Sequence, residues 1–206
     1  MRADADAALA LAQDAIEHAR RGDASALARL LDLGLAPDAR NSAGDSLLLL
    51  ASYHGHADAT CLLLARGADP ELRNDRGQSP LAGAAFKGNV AIVDLLLEAG
   101  AEVDGAGPDG RTPLMFAAMF NRADAAHALL RRGASLEAAS AEGQTARHLA
   151  EAMGAADTAT LLRDWGRGNE GEPPRLAAGG EHTRQPDPSS SRRKIAGACT
   201  VSTRRR

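Results

Sequence analysis

The sequence predicts an all-α protein in which about five helix-turn-helix units, joined by hairpin loops, stack into a solenoid. Residues 77–109 align with residues 110–142 without a gap, so the chain repeats itself every 33 residues. Self-similarity at such a period is typical of stacked repeats, none of which can bury its apolar face alone. Aromatic residues make up only 2% of the 206. This composition suits a linear stack of small apolar faces.

Each unit opens with a signal for a helix start. Thr112 and Ser79 can each accept a hydrogen bond from a backbone amide two or three residues later, and each stands before a proline. Proline is favoured at the first helical position, where its missing N–H costs nothing. Leu81, Ala84 and Ala85 then recur at helical spacing. The face that they form is apolar and mostly small, which lets the helix of the next unit approach closely.

Residues that tolerate a positive φ recur at three positions of the unit. Glycine reaches such angles cheaply, and asparagine is the usual substitute. The expected turn between the two helices of a unit carries Gly22, Gly55, Gly88, Asn121 and Gly154. The expected end of the second helix carries Gly34, Gly67, Gly100, Gly133 and Gly166. The connecting loop carries Gly44, Gly77, Gly110 and Gly143.

The repeat resembles the ankyrin repeat over roughly residues 11 to 166. The matching motifs are Thr112-Pro113-Leu114, Ser79-Pro80-Leu81 and Gly67-Ala68-Asp69. The resemblance implies an L-shaped stack of helix pairs with a hairpin loop at each junction. The histidine of the family's box occurs only as His148, which is expected to brace the local backbone. Ser46-Leu47 and Thr145-Ala146 replace Thr-Pro in two units, which predicts weaker helix caps there.

The chain divides at about residue 168. Residues 1–168 are predicted to form the repeat domain, and residues 169–206 to form a disordered tail, because the tail has no apolar periodicity. The tail carries eight Lys/Arg and four Asp/Glu, whereas the remainder carries 16 and 23. An acidic stack is not expected to bind nucleic acid by its main surface. Within the domain the expected units are a capping unit at about 7–43, repeats at 44–76, 77–109 and 110–142, and a C-terminal capping unit at 143–168.

Composition predicts a monomer in the cytoplasm. Acidic residues near the start replace the positive region of a signal peptide. No apolar run approaches the length of a membrane helix. Two cysteines do not make a disulfide framework.

Catalytic motifs are missing from the sequence. There is no G-x-S-x-G elbow, phosphate-binding loop or C-x-x-C pair. His54 and His56 flank Gly55, but no cysteine stands near them to complete a metal site. Cys61 has no evident base beside it, which predicts an inert thiol. An enzyme built on these residues stays the less favoured alternative, and no cofactor or metal is expected.

The placement of aromatic residues gives the sharpest functional signal. Phe116 is predicted to lie in the core, and Trp165 ends the last helix. Three rings precede the turn between helices, where the ankyrin resemblance implies an exposed concave surface. These rings and their neighbours are Tyr53, His54, Phe86, Lys87, Met119, Phe120 and Met153. Aromatic residues and methionine are enriched at the centres of interfaces. Ordinary packing between units is the alternative reading.

We therefore expect the protein to bind another protein through the concave face and the loop tips. The resemblance implies tip residues that include Asp45, Asp75, Arg76, Gln78, Arg111 and Gln144. The acidic net charge of the stack favours a partner with basic groups around an apolar anchor. The alternative is a regulatory or inhibitory subunit that uses the basic tail as a second contact. The clusters at 192–194 and 204–206 are spaced like a nuclear-import signal, which leaves a host-directed effector as a further alternative.

Overall fold

The structure is a computed structural model that describes residues 2–168 of the chain. Ten α-helices follow one another in this part, in five consecutive pairs. They are α1 (Arg2–Arg21) and α2 (Ala24–Asp32), α3 (Leu47–His54) and α4 (Ala57–Ala65), α5 (Pro80–Lys87) and α6 (Val90–Glu98), α7 (Pro113–Met119) and α8 (Ala123–Arg131), and α9 (Ala146–Ala152) and α10 (Ala156–Gly168). The predicted all-α solenoid of about five units is confirmed. The first helix begins at Arg2, earlier than the predicted start near residue 7.

The helices form two parallel rows. The first helices of the pairs, α1, α3, α5, α7 and α9, pack in chain order in one row, and the second helices pack in the other. Neighbours in the first row pack more closely than neighbours in the second, so the first row lines the inner, concave side. The described residues contain no strand beyond isolated bridges in two of the connecting loops.

The helix starts are capped as the sequence predicts. Ser79 Oγ accepts a hydrogen bond from the amide of Ala82 at 3.2 Å, and a proline follows at the first helical position. Thr112 repeats this arrangement in α7. The two units without Thr-Pro are also capped. Ser46 caps α3, and Thr145 forms a reciprocal capping box with His148 in α9. A side-chain oxygen alone is enough to satisfy a free amide at the helix start, so these units keep their caps.

Gly100 shows how a second helix ends. It follows the C-cap residue Ala99 with φ of 98°, and its amide donates to the carbonyl of Leu97 at 3.1 Å. The amide of Ala101 reaches back to Leu96 at 3.0 Å, which completes a Schellman motif.

The three predicted series hold positive φ at every position except Gly166. That residue lies inside α10, which continues to Gly168, so the prediction that it ends the helix is wrong. Glycine keeps helical angles as readily as left-handed ones, and its identity alone does not stop a helix.

The core runs along the whole stack as a band of leucine and alanine. The alanine pairs of α5 and α7 are fully buried between neighbouring first helices, as the small apolar face predicts. The largest fully buried side chains include Leu27, Leu47, Leu48, Leu63, Leu81, Ile92, Leu96, Leu114, Met115 and Leu129. Because each unit buries its face against its neighbours, stability is a sum of contacts between adjacent units.

Carboxylates also join successive units on the outer loops. In three places a side chain of one unit accepts a hydrogen bond from a backbone amide 31 positions later. The acceptor and donor pairs are Asp38 with Asp69 (2.9 Å), Glu71 with Glu102 (3.0 Å) and Asp104 with Ser135 (3.0 Å). Each of these bonds satisfies a loop amide that the repeat itself leaves without a backbone partner.

Two further predictions from the sequence concern the tail and the absence of a membrane-spanning helix. The predicted disorder of residues 169–206 lies outside the described residues. No helix in the described part of the chain has the length and apolar character that crossing a membrane requires.

Candidate functional site: a concave strip and the loop tips

Aromatic rings from three units touch one another on the concave side. Tyr53 at the end of α3 stacks on Phe86 at the end of α5, with ring centroids 6.0 Å apart and planes inclined by 13°. Phe86 in turn meets Phe120 edge to face at 4.3 Å. Together with His54 and Lys87, these rings are called the concave strip below. The structure therefore brings together five of the residues that the sequence singles out.

Lys87 and His54 lie at one end of the concave strip. Lys87 Nζ stands 4.5 Å from the ring centroid of Tyr53 and 5.7 Å from that of Phe86, which is cation–π geometry. Lys87 makes no salt bridge within the described part of the chain. His54 meets the Tyr53 ring edge-on at 5.5 Å. Burial lowers the pKa of His54, and the positive charges of His56, Lys87 and Arg20 lower it further.

The remaining predicted strip residues differ in exposure. Met119, one repeat beyond Phe86, is partly buried and packs against the core. Phe120 occupies the C-cap of α7 because that helix ends one residue earlier than α3 and α5. Its ring is 38% exposed, and Met153 is 56% exposed one unit further along. The strip thus continues toward the fifth unit as exposed apolar surface.

A cleft beside the strip is a feature that the sequence analysis missed. It is lined mainly by Leu49 and Tyr53 from the second unit, Gly83 and Phe86 from the third, and Phe116 from the fourth, and it encloses about 90 Å³. This cavity is called the Gly83 cleft. The prediction that Phe116 lies in the core is wrong. Its ring is half-buried and forms a wall of the cleft, because Gly83 offers no side chain for it to pack against.

The register of the repeat contained a signal for this cleft. Gly83 occupies the position that Leu50, Phe116 and Leu149 occupy in other units. Leu50 and Leu149 are buried, so a large side chain is the ordinary occupant of that row. A glycine in the middle of such a row predicts a gap between the two neighbouring units.

The loop tips are tied to one another by their own polar groups. Asp45 accepts a bond from Asn41 Nδ2 at 2.9 Å with one oxygen and from Asn74 Nδ2 at 2.7 Å with the other. Asn74 also donates to Gln78 Oε1 at 3.0 Å, and its own oxygen accepts from the amides of Arg76 and Gln78. Asp45 therefore uses both carboxylate oxygens inside the protein, whereas the exposed Gln78 side chain uses only its Oε1.

The other predicted tip residues are less occupied. Asp75 and Arg76 are exposed, and neither side chain forms a salt bridge in the described part of the chain. Arg111 lies 3.6 Å from Asp109. The backbone of Gln144 is held by Ser140, whose Oγ accepts from its amide at 3.3 Å.

The residues considered for catalysis have structural partners. His56 Nε2 lies 2.8 Å from the carbonyl oxygen of Arg20 at the end of α1, across the junction between two units. The described residues contain no cluster of three or more metal-ligating side chains. Cys61 is buried in α4, with 7% of its surface exposed, and the inertness of its sulfur stays a prediction.

Paired helices stacked in two rows, with hairpin loops that project at each junction, define a helical-repeat solenoid. Within that class, two family models for ankyrin repeats match the chain. One describes three copies and matches residues 15–106, and the other describes many copies and matches residues 83–130. Together they span more than half of the sequence. The chain is an ankyrin repeat protein. Ankyrin repeats typically act as protein–protein interaction modules, and the family is generally non-catalytic.

A segment of the chain is also similar to an ankyrin repeat protein from Pseudomonas aeruginosa (strain PAO1). The two are 60% identical over 38 residues, which is 18% of this chain and 22% of the relative. The match thus spans less than a quarter of that relative's length, about the length of a single repeat.

Proposed function

We propose that this protein binds a protein partner through the concave strip and performs no catalysis. The single observation that carries the proposal is the continuous contact of Tyr53, Phe86 and Phe120 across three units, beside an apolar cleft. An apolar centre that grades into a polar rim is the usual anatomy of a protein interface. The exposed tip residues Asp75 and Arg76 supply a rim on one side, and Lys87 supplies it on the other.

Within this proposal the tip residues take unequal parts. Arg76 and Asp75 are available to a partner. Asp45 joins its loop to the next one through Asn74, and Gln78 bonds to Asn74 within its own loop. Arg111 and Gln144 extend the rim toward the last unit. Rim contacts of this kind change specificity and the rate of association more than they change affinity.

The test begins by recovering a partner with the immobilised full chain from a lysate of the source organism. The dissociation constant is then measured for the wild type and for Phe86→Ala and Phe120→Ala. Each substitution should weaken binding by more than about 1 kcal/mol, the level that marks an important interface residue. Leu33→Ala is the matched control, because Leu33, the C-cap residue of α2, is 73% exposed and lies in the first unit, away from the strip. It should leave binding unchanged.

Stability is measured on the same variants to separate binding from packing. Leu96 is fully buried, and Leu96→Ala should cost roughly 2 to 5 kcal/mol of unfolding free energy. The two phenylalanine variants should cost less, since Phe120 and Phe86 are only partly covered. Unchanged binding together with a collapse in stability would show that the rings are packing elements, and the proposal would fail.

The cytoplasmic, monomeric state expected from the sequence belongs to the same proposal. Fractionation of the source organism, with the protein detected by antibody, decides between a cytoplasmic and an exported pool. Sedimentation of the purified chain measures its oligomeric state.

A further inference from the structure

The Gly83 cleft exists because one side chain is missing from a row of large ones. No positive φ requires a glycine at residue 83, which lies within α5. A Cβ placed there would lie 3.5 Å from Tyr53 Cδ2, which is ordinary contact. Glycine is a poor helix former, and a leucine fits the same position in other units. The backbone therefore tolerates a side chain at residue 83, and its absence leaves the cavity.

The cleft is suited to an aliphatic side chain. Its walls are mainly the rings of Tyr53, Phe86 and Phe116 and the side chain of Leu49, and Ala82 and Gln78 complete the lining. The hydroxyl of Ser79 at its loop end is already engaged in capping α5. The volume of about 90 Å³ is several times what one water molecule needs, and an apolar wall offers water few partners. An apolar group from another molecule is the occupant that such a space favours.

Unpaired cations stand beyond both ends of the cleft. Tyr53 is shared with an open depression that Lys87 and His54 line, and Phe116 is shared with a depression that Arg76 and Arg111 line. Lys87 and Arg76 form no salt bridge within the described residues. The acidic net charge of the stack, from which the sequence predicts a partner with basic groups, does not describe the two ends of this groove, where Lys87 and Arg76 are positive.

We infer that the Gly83 cleft receives an aliphatic side chain from an acidic segment of the protein partner, whose carboxylates meet Lys87 at one end and Arg76 at the other. The inference rests on the proposed function and names the chemistry of its partner. Lys87 lies one helical turn beyond Gly83, about 6 Å along α5. An extended peptide covers that distance in about two residues. The segment therefore carries Asp or Glu about two positions from its anchor.

The charge of the chain's own tail argues against the tail as the occupant of the Gly83 cleft. Residues 169–206 carry eight Lys/Arg and four Asp/Glu, a net charge of +4. A basic segment would bring like charges beside Lys87 and Arg76, which is unfavourable in a partly desolvated groove. An acidic partner gains from the same arrangement.

The test is a selection from a random dodecapeptide library displayed on phage, with the full chain as bait. Enriched peptides are synthesised with a fluorescent label, and their dissociation constants are measured by anisotropy. We expect enriched peptides to share Leu, Ile or Val with Asp or Glu about two positions away. Gly83→Leu should weaken their binding at least about tenfold by filling the cleft. Lys87→Met should reduce the preference for the acidic residue.

Gly166→Leu is the matched control. Gly166 is also a helical glycine, and a Cβ there would meet nothing within 4 Å. It should leave peptide binding unchanged. Thermal melting of both variants checks folding, and Gly83→Leu should melt no lower than the wild type because leucine favours the helix.

Several results would overturn the inference. They are a basic consensus, a consensus without an aliphatic residue, equal binding to Gly83→Leu, or no enriched peptide. A dimer that Gly83→Leu dissociates would also overturn it, by making a second copy the occupant. If Phe120→Ala weakens the native partner and Gly83→Leu does not, the proposed function stands and the cleft inference fails. If neither variant weakens it, both fail.

Discussion

The concave strip and the loop tips are both exposed, yet they use their side chains differently. At the tips, Asp45, Asn74 and Gln78 direct their polar groups at one another and at the loop backbone. Along the strip, Phe120 and Lys87 contact neighbouring rings and leave part of their surface open. A protruding polar residue is therefore not automatically available to a partner. The strip offers surface for binding, whereas the tips mainly fix the spacing of the units.

Among the variants that test this comparison, Asn74→Ala should change the free energy of unfolding most. It removes a buried side-chain amide. The NH2 group of that amide donates to Asp45 and Gln78, and its oxygen accepts hydrogen bonds from two backbone amides. The groups that lose these bonds are part-buried or exposed and can bind water instead, so the free energy of unfolding should fall by about 1 to 3 kcal/mol in total. Urea denaturation followed by circular dichroism measures it.

Asp75→Ala is the control for that experiment, because the neighbouring Asp75 side chain is exposed and makes no salt bridge in the described region. Its effect should stay within about 0.5 kcal/mol. Equal losses in the two variants would mean that the tips are not tied by Asn74, and the contrast between tips and strip would disappear.

Lys87 tests whether the strip is ordered before a partner arrives. Its ammonium stands over the ring of Tyr53 at 4.5 Å. Such a contact contributes about 0.5 to 1 kcal/mol at an exposed site. A double-mutant cycle of Lys87→Met and Tyr53→Leu, measured by unfolding, should give a coupling energy in that range. A coupling of zero would mean that Lys87 moves freely above the ring.

His54 should give the smallest effect, as a dependence of stability on pH. Its pKa in the folded protein lies below the unfolded value of 6.5, through burial and the nearby cations. The unfolded chain therefore binds more protons as pH falls through 6.5, and stability is lost until the folded pKa is also passed. His54→Gln removes this loss. Relative to the wild type, the variant should be more stable at about pH 5 than at about pH 8. Parallel pH profiles for the two proteins would contradict this.

The sequence predicts the fold well because the repeat presents each signal several times. Caps such as Ser79 and turns such as Gly100 act through local backbone chemistry, which one unit already contains. The prediction that Phe116 lies in the core fails for the opposite reason. Whether its ring is buried depends on residue 83 of the neighbouring unit, which is a contact between repeats. The bonds of Asn74 to Asp45 likewise cross a unit boundary and leave no mark in either unit alone.

The carboxylates that reach between units give the stack a set of internal reporters. The amide protons of Asp69, Glu102 and Ser135 are each held by a side chain of the preceding unit. Such a proton can exchange with solvent when the junction between two units opens, even if every helix stays intact. In a linear array, opening propagates from the ends through nearest-neighbour couplings. Hydrogen exchange at these amides, compared with amides inside helices, therefore separates the uncoupling of units from their unfolding.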